Sequence, residues 1–108
     1  MRLQPEQIAV IRHVSAELVG ADACVRLFGS RVDDHAKGGD IDLLIETPRE
    51  VADRAVLAAR VAAALERRLG GRRVDVVLVD PATPPQSVHA VARATGVVLY
   101  GQPLPTSP

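Results

Sequence analysis

Residues 47–71, between the apolar runs Asp40–Glu46 and Arg72–Asp80, repeat apolar side chains at the three- and four-residue spacing of a helix. Val51, Ala55, Ala58, Val61 or Ala62, Leu65 and Leu69 form one stripe, and Gly70-Gly71 supplies a left-handed stop. Thr47-Pro48-Arg49-Glu50 has the form of a capping box, which predicts a helix of about five turns starting there. The flanking runs are too short for helices and rich in strand formers. A helix between two strands permits them to pair in parallel, and this limits the chain to a sheet with helices laid on it.

The rest of the chain extends that unit. Ile8, Ile11, Val14 or Ser15, and Leu18 mark an amphipathic helix with Pro5 in its first turn, ending near Gly20. Cys24–Phe28 is a short strand closed by Gly29-Ser30, and residues 31–39 have the composition of a loop or a frayed helical turn. The short link to the strand at Asp40 permits an antiparallel or mixed pairing. Thr83-Pro84-Pro85-Gln86 repeats the capping arrangement, Gly96 ends the helix it starts, and Val97–Tyr100 can add a last strand. The predicted fold is α+β, a small mixed sheet of three to four strands with helices packed on it. Residues 1–101 form one domain in this reading, and the proline-rich residues 102–108 a frayed tail.

Two carboxylates stand out against this frame. Asp40 and Asp42 lie two residues apart in a strand, so both project from one face about 6.6 Å apart along the chain, while Ile41, Leu43 and Ile45 point the other way. Oxygen ligands at that spacing suit a hard divalent cation, and Mg²⁺ in particular, which keeps several waters and takes one or two carboxylates plus substrate phosphates. Asp75 sits within Val74-Asp75-Val76-Val77, where burying an ionised carboxylate demands compensation. If its strand pairs beside Asp40–Glu46, three carboxylates share one surface and can bridge two ions about 3.5–4 Å apart. Gly29-Ser30 lets backbone N–H groups approach an anion, Ser30 adds a donor, and the guanidinium of Arg31 matches phosphate oxygens.

Taken together, Gly29-Ser30, nine intervening residues, Asp40-Ile41-Asp42 and a later Asp75 resemble the nucleotidyltransferase superfamily that includes DNA polymerase beta, and its minimal nucleotidyltransferases in particular. The resemblance runs from about Val25 to Asp80, and less specifically to Leu99-Tyr100; the loop before Asp40 is one residue shorter than in many antitoxin members. It implies that the Gly-Ser pair binds a nucleotide triphosphate, that Asp40 and Asp42 bind both metals, and that Asp75 assists the metal that activates the acceptor. The implied reaction is transfer of a nucleoside monophosphate, AMP from ATP, to a hydroxyl. The implied context is an antitoxin acting on a tyrosine of a HEPN-domain toxin encoded nearby. The alternative is a catalytically silent module that binds nucleotide or protein and neutralises or completes a partner.

Other features narrow the field. Thirteen basic residues balance thirteen acidic ones, and only Phe28 and Tyr100 are aromatic, which disfavours direct nucleic-acid binding. No apolar stretch approaches the roughly 20 residues of a membrane span, and the cytoplasm is the default location. Cys24 reads as a structural buried thiol, His13 and His89 as non-functional helix residues, and His35 and Lys37 as exposed loop residues near the site. Asp80 reads as a turn former and Glu46 as a surface group at a helix entry.

Overall fold

The computed structural model describes residues 3–28, 41–84, 90, 92–94 and 96–101. Its elements run α1 (Pro5–Leu18), β1 (Cys24–Phe28), β2 (Ile41–Glu46), α2 (Arg54–Arg68), β3 (Val74–Val79) and β4 (Val97–Tyr100), and residues 90 and 92–94 are also helical. The four strands form one sheet in the order β3-β2-β1-β4, with β2 and β3 parallel and β1 antiparallel to both of its neighbours. This is the expected mixed α+β sheet, with the parallel pair that the helix between two apolar runs permits.

Side-chain alternation gives the sheet two different faces. Val25 and Leu27 of β1, Ile41, Leu43 and Ile45 of β2, and Val74 and Leu78 of β3 pack with Ile11 and Val14 of α1 and Val61 and Leu65 of α2. That face is the main core, and the helix stripes read from the sequence pack into it except at Ala55, which is exposed. The opposite face carries a smaller cluster of Leu44, Val79 and Ala92, with Phe28 and Val77 beside it. The helical residues around Ala92 cover part of it.

α2 begins later than its sequence suggests. Asp53, not Thr47, is the N-cap, and its carboxylate accepts from Val56 N–H at 3.1 Å. Tertiary contacts hold residues 47–52 out of the helix. Thr47 N–H continues the sheet by bonding Val79 O at 2.9 Å, Arg49 reaches back to Asp22 Oδ1 and Val19 O, and Val51 N–H donates to Asp80 Oδ2 at 2.8 Å. The helix is accordingly shorter than the five turns expected. Its end falls where the glycines place it, with Gly70 and Gly71 at φ +74° and +82°.

Asp80 does form a turn, as its sequence suggests, and it also clamps α2. Its carboxylate accepts from Val51 N–H, Ala82 N–H, Thr83 Oγ1 and Arg54 Nη1, while its own N–H donates to Thr83 Oγ1. The Val51 N–H bond is the main reason that its carboxyl is held below the ordinary value of 3.8; burial pushes the other way, and Thr83, Arg54 and Ala82 assist the lowering. A depressed carboxyl contributes stability that is complete above its unfolded-state value and is lost as pH falls through the folded one. Thermal melts of the wild type should therefore fall off below about pH 4. Asp80→Asn should melt lower at neutral pH and show a shallower acid-side decline. An acid-side slope equal to that of the wild type would assign the depression to another group.

Candidate active site

At one end of the sheet three strand termini meet. β1 finishes at Phe28, whose register partner on β2 is Asp42, and Asp42 is in turn the register partner of Asp75 on β3. Register partners on adjacent strands project from the same face about 4.8 Å apart. Phe28, Asp42 and Asp75 thus form a row on the face opposite α1 and α2. Each aspartate is the second residue of its strand, so the parallel pairing of β2 with β3 is what brings together two carboxylates far apart in sequence.

Their environments differ from what the sequence suggests for Asp75. It was expected to be buried among valines, but its side chain is 48% exposed, with Arg73 Nε 3.4 Å from its Oδ1. Strand register, not a buried charge in need of compensation, accounts for its position. Asp42 is half-buried. Gly29, Ser30, Arg31 and Asp40 lie outside the described residues, as do His35, Lys37 and His89. Among the described residues no group of three or more His, Cys, Asp or Glu side chains forms a cation site. Asp42 and Asp75 are the described part of the expected donor set. Two hard carboxylates at one end of the sheet, with no imidazole or thiolate beside them among the described residues, fit Mg²⁺ better than a softer metal.

The same face holds charges whose partnership the sequence reading missed. Glu46 is buried, not a surface group: one carboxylate oxygen pairs with Arg26 Nη1, and the other accepts from Arg93 Nε at 3.0 Å and Nη2 at 2.9 Å. This triad ties the helical residues 92–94 to the two central strands. The signal was available, because Arg26 and Glu46 alternate onto the same face as Leu44 and demand partners of opposite sign there. Cys24 is likewise fully buried, and burial pushes its thiol above the ordinary 9.0, with Arg26 opposing and Glu46 reinforcing the shift. It should react with a thiol reagent at least about 10³-fold more slowly in the native protein than in denaturant. Rapid native labelling would place it at the surface.

Comparisons with known proteins bear on the family and the fold. The profile described as nucleotidyltransferase domain matches residues 9–95, a span holding β1 to β3 and both paired aspartates. The chain belongs to this nucleotidyltransferase family. No curated protein matches it. Solved structures similar to this nucleotidyltransferase domain include a chain of the complex of a tri-AMPylated Shewanella oneidensis HEPN toxin with an MNT antitoxin. It is 20% identical, with 93% of this chain and 74% of that chain covered and a TM-score of 0.67. A chain of the MntA-HepT toxin-antitoxin structure is 19% identical, with coverages of 92% and 74% and a TM-score of 0.65. A toxin-antitoxin structure with AMP-PNP gives 20%, 93%, 75% and 0.67. At such identities the likeness establishes the fold, the polymerase-beta-like nucleotidyltransferase fold. Among the described residues no helix is long and apolar enough to cross a membrane.

Proposed function

We propose that this nucleotidyltransferase domain transfers AMP from ATP to a hydroxyl of a partner protein, a tyrosine of a HEPN-domain toxin, and so acts as an antitoxin of the MntA type. The observation that carries this reading is the register pairing of Asp42 with Asp75 at the end of the sheet where β2 and β3 begin. The family match supports the reaction class. The similar structures, one an MNT antitoxin with a tri-AMPylated HEPN toxin, one the MntA-HepT toxin-antitoxin and one a toxin-antitoxin with AMP-PNP, support the donor and the partner.

In this reading Asp40, Asp42 and Asp75 hold Mg²⁺. When bound, the cation supplies positive charge to the triphosphate and to the acceptor oxygen. The chain does the positioning. Backbone N–H groups at Gly29-Ser30, the Ser30 hydroxyl and the Arg31 guanidinium would bind and orient the phosphates. The acceptor oxygen forms a bond to that phosphorus as the bond to the bridging β-phosphate oxygen breaks; pyrophosphate leaves and the hydroxyl proton passes to solvent. Asp75, the more exposed of the described pair, stands where an acceptor can approach from solvent.

The test is incubation with α-labelled ATP, Mg²⁺ and the product of the adjacent gene. Label on the partner supports transfer. A stable complex that never acquires label, and that forms equally well with Asp42→Asn, would show a silent binding module instead.

A further inference from the structure

A second surface lies on the helix-covered side of the sheet. α1 and α2 leave between them a groove of about 440 Å³, whose apolar lining is Leu18 and the nearly buried Val14 of α1 with Ala64 and the exposed Ala63 of α2. Arg60, Arg67 and Arg68 line it from α2, and all three are exposed. None of these arginines carries an ion pair among the described residues. The acid on the rim, Glu17, pairs with His13 at 3.1 Å. Arg60, Ala63, Ala64, Arg67 and Arg68 follow one another at helical spacing along one stripe. Arg60 and Arg67 thus stand about 10.5 Å apart, with the small alanines between them.

We infer that this groove docks an acidic amphipathic helix of a partner protein. Alanines in the centre of the stripe let an apposed helix approach closely, and the apolar lining takes its apolar side chains. Acidic residues two turns apart on that helix match Arg60 and Arg67, with Arg68 adding positive charge at the same end. A nucleic acid fits less well, since the lining offers alkyl groups without an aromatic side chain on which a base could stack. α1 and α2 cover the face opposite Asp42 and Asp75, so an occupant of the groove leaves the carboxylate row open.

The probe is a synthetic helical peptide of about 14 residues, about 21 Å long, with leucine and alanine on one face and glutamates flanking it at i and i+7. A scrambled peptide of the same composition is the control. By fluorescence anisotropy the amphipathic peptide is expected to bind at least about tenfold more tightly than the scrambled one, and Arg60→Glu combined with Arg67→Gln is expected to remove that preference. Ala63→Glu, which places a negative charge in the groove at an exposed position, should do the same with the fold intact. Amide shifts on binding should cluster on α1 and α2. Equal affinity for the two peptides, no binding, shifts centred on another surface, or binding unaffected by the three substitutions would overturn the inference. So would self-association of the protein that these substitutions abolish, which would assign the groove to a second copy of this chain. Label transfer from ATP does not enter any of these readouts, so the docking surface and the proposed activity stand or fall separately.

Discussion

Asp75→Asn and Asp42→Asn are each expected to lower nucleotidyl transfer by at least about 100-fold. The two aspartates face one another across the parallel β2–β3 pair, and each substitution removes a negative charge from the edge where a cation has to bind. The stability readout separates this from simple misfolding. Asp75 is exposed and its ion pair with Arg73 is long, with both side chains largely in solvent, so Asp75→Asn should change unfolding free energy by no more than about 0.5 kcal/mol. Loss of transfer with an unchanged melt is the expected combination. Full activity in Asp75→Asn would remove that residue from the site and leave the pairing as an accident of register. A mutant that both melts early and fails to transfer would assign Asp75 a structural role that its exposure does not suggest.

Glu46→Ala is expected to be the most damaging single change to the fold. Glu46 and Arg26 have side chains only 7% and 9% exposed, and Glu46 alone compensates Arg26 and Arg93 among the described residues. Truncating it leaves the Arg26 guanidinium buried without an acceptor, at a cost of about 3–5 kcal/mol. For a domain of this size that lowers the melting temperature by about 12 °C or more. Arg93→Ala should be milder, because its side chain is one-third exposed and Glu46 retains Arg26. Replacing the central pair by apolar residues, Arg26→Met with Glu46→Leu, should recover much of the loss, since buried ion pairs exchanged for packed hydrophobic residues are often neutral or better. If chemical denaturation puts Glu46→Ala within about 1 kcal/mol of wild type, the triad is solvated and its packing role is wrong.

The parts of this molecule that local sequence specifies were legible, and those that long-range contacts specify were not. Pro5, the stripe through Ile11 and Val14, the glycine pair after α2 and the β-branched run of β3 each act within a few residues of themselves, and their elements lie where periodicity and turn chemistry put them. The start of α2 is different. Thr47-Pro48-Arg49-Glu50 is a sound local capping signal, but Val51 N–H bonds a carboxylate almost thirty positions away, and the helix waits for Asp53. The two misread acids, Asp75 and Glu46, share a cause. Alternation tells which face a strand residue takes but not what covers that face; β3 leaves Asp75 open to solvent, while Arg26 and Arg93 close over Glu46. The meeting of Asp42 with Asp75 could be foreseen because it needs only a parallel β2–β3 pair, which the intervening helix permits.

Paramagnetic Mn²⁺, added in small amounts as a stand-in for Mg²⁺ to protein carrying a non-hydrolysable ATP analogue, gives the most direct test. If the carboxylates at the start of β2 and β3 hold the cation, amide signals around Asp42 and Asp75 broaden first, and excess Mg²⁺ restores them. Broadening that spares these strand starts, or that persists unchanged in the Asp42→Asn, Asp75→Asn double variant, would place the cation elsewhere and contradict the assignment of this edge as the active site.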